Sequence, residues 1–139
     1  VAVRFPLGGK TCTIGGIAKG SGMIHPNMGT MLCFLTTDCA ISSEMIKSAL
    51  LETVQVSFNR ISVDGDTSTN DTCCVLANGL AGNPVITEKG PDYNAFVEAL
   101  RALCVELAKK MDITLLKTRY RLFTACGKLY ENGLRGGCE

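Results

Sequence analysis

"PDYNAFVEALRALCVELAKKM", residues Pro91–Met111, is the stretch on which the fold turns. Tyr93, Phe96, Val97, Leu100, Leu103, Cys104, Leu107 and Ala108 recur at intervals of three and four. That spacing stacks side chains on one face of an α-helix. Pro91 suits the first helical turn, and Lys109 and Lys110 suit the negative end of the helix dipole. The helix predicted here buries Phe96, Leu100, Leu103 and Leu107 and leaves Arg101 and Lys109 in water. Its apolar face needs a second layer to lie on.

The segments upstream supply that layer. "VAVRF" alternates apolar and polar residues, "TCTIGGI" does so less cleanly, and "PLGGK" between them offers Pro and two Gly for a turn. This reads as a β-hairpin. Residues 31–37, "MLCFLTT", have the look of a short buried strand. Ser42, Ser43 and Glu44 open a helix with Ile46, Ala49, Leu50 and Val54 on one face. "RISVD" alternates like a strand, and Thr72–Ala77 is read as a short helix stopped by Asn78-Gly79. Beyond Met111 the periodicity fades into the loop-like "ENGLRGGCE". Helices mixed with strands give an α/β (mixed α+β) class.

The bulk composition narrows the function. The 139 residues are 46% hydrophobic and 19% charged, enough for a core of their own. A net charge of +1, no basic block and no Trp argue against a nucleic-acid partner. No apolar run approaches the ~20 residues that span a bilayer, so no membrane partner is expected. The chain begins at Val1 and not at Met, as a processed product or a piece of a longer chain would.

Eight cysteines contain no C-x-x-C, and the single His25 stands far in sequence from most of them. We therefore expect no metal site, and reduced thiols of a cytoplasmic protein packed as small hydrophobes. "GGIAKGSG" has Lys19 ahead of Gly20-Ser21, the wrong order for a phosphate loop. "DGDTSTND" offers Asp64, Asp66, Ser68 and Asn70 at calcium-ligand offsets. It puts Thr69 where the sharp turn needs Gly, and Val75 where a bidentate Glu is needed. His25 has no carboxylate or Cys beside it to make a catalytic pair.

Two longer motifs carry a resemblance. "KGSGMIHPNMGTML" (Lys19–Leu32) resembles the self-cleaving segment of the ArgJ family of ornithine acetyltransferases. "FNRISVDGDTSTND" (Phe58–Asp71) resembles that family's second signature, and "GLAGN" and "FVEALRALCVELAKK" are similar to it as well. The resemblance implies a fragment of an ArgJ/DmpA-like αββα layered sandwich. It divides the chain into residues 1–29, the end of an α chain; 30–111, the start of a β chain; and 112–139, a divergent tail. It also implies cleavage between Gly29 and Thr30, with Thr30 as the nucleophile and Lys19 and Thr30 as substrate contacts.

The implied activity is that of a glutamate N-acetyltransferase in arginine biosynthesis. Acetyl would pass from N2-acetylornithine to glutamate through a Thr acyl-enzyme, with acetyl-CoA a donor in some members and no cofactor. The family's α and β chains form an α2β2 heterotetramer. Two alternatives stay open: an inactive truncated fragment, and an N-terminal-nucleophile amidohydrolase or aminopeptidase. The family has Ala where this chain has Gly29, and its Asp-Gly-Glu-Gly motif has no counterpart after Lys110. Its Thr-Gly oxyanion pair belongs to a region upstream of these residues. Slow or absent self-cleavage is therefore expected of the 139 residues alone.

Overall fold

The computed structural model describes residues 1–20, 31–60 and 71–131, with 112–131 described through their backbone alone. Four strands form one sheet in chain order: β1 (Ala2–Leu7), β2 (Lys10–Lys19), β3 (Leu32–Thr37) and β4 (Thr72–Ala77). β1–β2 and β2–β3 pair antiparallel, and β3–β4 pair parallel. Helix α1 (Ser43–Val56) and a 3-10 turn (Phe58–Arg60) lie between β3 and β4, and helix α2 (Pro91–Glu131) follows. The class is mixed α/β, as the sequence indicates.

The hairpin forms where expected. Gly8 and Gly9 make its two-residue turn with φ of 55° and 74°, a left-handed pair that L side chains resist. Ser42 caps α1, its side chain accepting from the Met45 N–H. The buried face of α1 is rotated from the one read in sequence: Met45, Ala49, Thr53 and Val54 are buried, while Ile46 and Leu50 are only half-covered.

Three expectations are corrected. Thr72–Ala77 is a strand and not a helix, because its backbone groups pair with β3 in the register Leu32↔Thr72 to Thr37↔Ala77. Pairing decides over a six-residue propensity, and Thr72 and Val75 are β-branched. The 31–37 strand is covered on one face only: Cys33, Leu35 and Thr37 are buried, whereas Leu32, Phe34 and Thr36 are exposed. Helix α2 does not stop at Met111 but runs 41 residues to Glu131. Residues 112–131 contain no Pro and a single Gly, so no breaker ends it. "RISVD" falls outside the described residues except for Arg60, which belongs to the 3-10 turn.

The core lies between the sheet and α2. Phe96, Leu100, Leu103, Cys104 and Leu107 face Phe5, Cys12, Ile14, Cys33 and Leu35, and Phe5 meets Phe96 edge to face at 6.2 Å. Arg101 and Lys109 are exposed, as the periodicity requires. Gly16 allows α2 to come close. A Cβ there would run into the Leu35 side chain and sit 3.4 Å from Leu107. The other sheet face carries Ile17, Phe34 and Cys74 in one cross-strand row. Ile17 and Phe34 are 71% and 46% exposed, so no described residue covers this face.

One polar side chain ties the loops together. Asn83 is buried; its Oδ1 accepts from the Ala40 N–H at 2.8 Å, and its Nδ2 donates to the Ala40 and Pro84 carbonyls at 3.1 and 2.7 Å. The Ile86 N–H also donates to the Ala40 carbonyl, and Ser42 N–H donates to the Ile86 carbonyl. The segment after β4 is thereby clamped to the entry of α1.

Candidate functional site

The two long motifs flank gaps in the description. Gly29, Thr30 and His25 lie outside the described residues, as do Asp64, Asp66, Ser68, Thr69 and Asn70. The ends of both motifs are described, and they converge. Lys19 closes β2 and stands opposite Leu32, which stands opposite Thr72 across the parallel pair. The end of the first motif and the residue following the second thus sit on adjacent strands.

The link at that point is made by side chain and backbone together. The Met31 N–H donates to Asp71 Oδ1 at 2.7 Å, and the Thr72 N–H donates to the Met31 carbonyl at 2.9 Å. The Met31 side chain is buried. A carboxylate acceptor makes such a bond short and strong relative to a neutral one. Asp71 belongs to a motif quoted from the sequence, yet its role was not legible there, because its partner is 40 residues away.

Lys19 is exposed and lines a cavity of about 390 Å³ between the end of β2 and the 107–111 turn of α2. Gly16, Ile17, Ala18, Leu107, Lys110 and Met111 contribute to the walls. Lys19 and Lys110 in the walls of an otherwise largely apolar hollow suit an anionic ligand with a short aliphatic body. Glu106 forms an ion pair with Lys110 at 3.6 Å, which tempers the positive charge on that side.

Thiols back the same strands. Cys33 and Cys73 are register partners on β3 and β4, close enough for hydrogen bonding between the thiols to shift both. That bonding holds the Cys33 thiol well above its ordinary range, with burial adding to it, and draws Cys73 below its own. Burial pushes Cys104, on the facing helix, up to about 12. All described cysteines are free thiols. Among the described residues, no group of three or more His, Cys, Asp or Glu could hold a metal ion. None of their helices is long and apolar enough to cross a membrane.

Comparison with known proteins gives consistent matches. The family model described as "ArgJ family" matches residues 1–113. The arginine biosynthesis bifunctional protein ArgJ of Geobacillus stearothermophilus is 58% identical over 105 residues, covering 76% of this chain and 26% of that protein. The protein of the same name from Bacillus subtilis (strain 168) is 58% identical over 108 residues, 78% of this chain and 27% of its own. A crystal structure of arginine biosynthesis bifunctional protein argJ from Bacillus halodurans superposes with a TM-score of 0.53 at 46% identity. That match covers 56% of this chain and 37% of the other. The chain therefore spans about a quarter of the length of the curated relatives it matches.

Proposed function

The chain belongs to the ArgJ family, and from that premise we propose that it is the nucleophile-bearing segment of a glutamate N-acetyltransferase of arginine biosynthesis. Thr30 is the nucleophile, the bond before it is the site of self-cleavage, and Lys19 is a substrate contact. Residues 1–29 then end an α chain and 30–111 begin a β chain, with 112–139 a divergent tail.

The chemistry follows from the residue types. The Thr30 hydroxyl adds to the Gly29 carbonyl, the peptide C–N bond breaks, and the acyl group moves from nitrogen to oxygen. Water then opens the ester and frees the Thr30 amine. An α-amine has a reference pKa of about 7.7–8.0, so near neutral pH it can take the proton of its own hydroxyl. The hydroxyl accepts acetyl from N2-acetylornithine, releasing ornithine, and the glutamate amine takes the acetyl from the ester. Each half-reaction passes through an oxyanion whose donors come from the remainder of the full-length protein, a contribution often worth ~2.7–4 kcal/mol per donor.

The observation that carries this reading is the convergence of the two motifs, through Lys19↔Leu32, Leu32↔Thr72 and the Asp71–Met31 bond. The two lysines around the cavity suit the carboxylate that acetylornithine and glutamate share. The Ile17–Phe34–Cys74 face, left open by the described residues, suits a second sheet of an αββα sandwich.

The test replaces the matching segment of the Bacillus subtilis relative with residues 1–111 of this chain. Intact mass then reports cleavage, and acetylornithine is supplied with and without glutamate. Cutting before Thr30 and glutamate-dependent acetyl transfer, both abolished by Thr30→Ala, are the expected results. Release of free acetate without glutamate at a comparable rate would make the segment a hydrolase. Cutting that persists in the Ala variant would remove Thr30 from the mechanism.

A further inference from the structure

We propose that Asp71 is the positioning residue for the nucleophile, acting through the peptide group that joins residues 30 and 31. This rests on the reading of Thr30 given above. The N–H that Asp71 Oδ1 holds at 2.7 Å is that of Met31. In a planar peptide unit this N–H is fixed relative to the carbonyl and Cα of the residue before it. Orienting one end of the plane orients the other.

Three restraints act on residue 31 at once. Asp71 holds its N–H, the Thr72 N–H holds its carbonyl, and its side chain is packed in the core at 4% exposure. Thr72 opens β4 and Asp71 precedes it, so two consecutive residues hold both polar groups of residue 31. The ladder continues from there as Leu32↔Thr72 and Cys33↔Cys73. Of these restraints, only the carboxylate acts on the peptide group shared with position 30, where the hydroxyl must be aimed. A structural anchor could as well have been a backbone carbonyl. A side-chain oxygen can be moved or removed without altering the strand ladder, so what matters for aim is its reach.

The consequence is specific to the chemical step. Misaiming a nucleophile by about 1 Å costs on the order of 10²-fold in rate without changing what the substrate pocket binds. Substitutions are made in the Bacillus subtilis chimera, numbered as in this chain. Asp71→Asn keeps an oxygen acceptor at the same reach and should hold cleavage and kcat within about threefold. Asp71→Ala should slow both by at least about tenfold, with the KM for acetylornithine unchanged. Asp71→Glu keeps the charge but displaces the acceptor by one methylene, and it should be slowed likewise. It also serves as the test if the Ala variant fails to fold.

Full rates in the Ala variant, or in the Glu variant where Ala does not fold, would overturn the proposal. So would an Asn variant as slow as Ala, or losses that appear in KM and not in kcat. Thr30→Ala separates the two levels. If it still cleaves and transfers, the nucleophile assignment itself fails. If it is inactive while Asp71→Ala runs at full rate, only the positioning role fails.

Discussion

Asn83 offers a sharp test of how the loops are held, because two substitutions there should part company with pH. Asn83→Ala removes the acceptor of the Ala40 N–H and the donor to the Ala40 and Pro84 carbonyls. The Ala40 carbonyl keeps the Ile86 N–H, and Pro84 is exposed enough for water to replace the lost donor. The uncompensated losses are thus the partly buried Ala40 N–H, worth about 1–3 kcal/mol, and the weaker donor of the buried Cys12 thiol, which also points to Asn83 Oδ1; both should be the same from acid to neutral pH. Asn83→Asp keeps the acceptors but sets a carboxylate against the Ala40 and Pro84 carbonyls in a buried site. Burial and those carbonyls raise its folded pKa above the unfolded value of about 3.9. A raised folded pKa means the folded state binds more protons, so stability falls as pH rises above the unfolded value. In acid the protonated Asp can donate to one of the two carbonyls that the amide served, and the Pro84 carbonyl, at an exposed residue, can take water instead. Urea unfolding of the 139-residue chain, followed by far-UV circular dichroism from acid to neutral pH, reads both variants. The Asp variant should approach the parent in acid and fall below the Ala variant at neutral pH. A flat Asp profile, or an Ala variant within about 0.5 kcal/mol of the parent, would refute the bonding scheme.

Three further outcomes are expected. Leu100→Ala should cost about 2–5 kcal/mol, since its side chain is fully buried between α2 and the sheet. Leu51→Ala, at a 59%-exposed position, should stay within about 0.5 kcal/mol, and equal losses at the two would contradict the packing. In the native chain Cys73 should be alkylated by iodoacetamide before Cys33 and Cys104, because its pKa is lowered by the Cys33 hydrogen bond while theirs are raised. Peptide mapping with Cys33 modified first would contradict this order. Glu52 accepts from Lys89, Tyr93 and Ser48, and the Lys89 bond chiefly lowers its pKa. A lowered carboxylate pKa contributes stability that is present at neutral pH and lost as pH falls through the folded value. Glu52→Gln should therefore be slightly less stable at neutral pH and match the parent in acid. Both groups are exposed, so the difference should also shrink with salt.

How much of this was legible in the sequence depended on the range of the forces involved. The hairpin could be read because Gly8-Gly9 must turn left-handed, and α2 because Tyr93 to Ala108 keep one face. Both signals are local. β4 could not be read: "TCCVLA" lacks a period of its own, and its strand geometry comes from partners 40 residues upstream on β3. The end of α2 was misplaced for the opposite reason. The apolar stripe fades after Met111 while nothing in the backbone chemistry stops the helix. At the site, Thr30 and Lys19 stood out through the motif they share. Asp71 sat unremarked in the second motif, because a carboxylate's target cannot be read along the chain.

The pairing of β3 with β4 also has a consequence in time. The hairpin closes over a two-residue turn, but the Asp71–Met31 contact spans 40 residues, with α1 formed in between. Loop closure over that distance follows the local elements, because its entropy must be met before the contact can reward it. If Asp71 aims the nucleophile, the peptide before Thr30 cannot be cut efficiently until β4 has docked. Cleavage then becomes a timestamp on folding, and a nascent chain that stalls before β4 keeps its α and β parts in one piece.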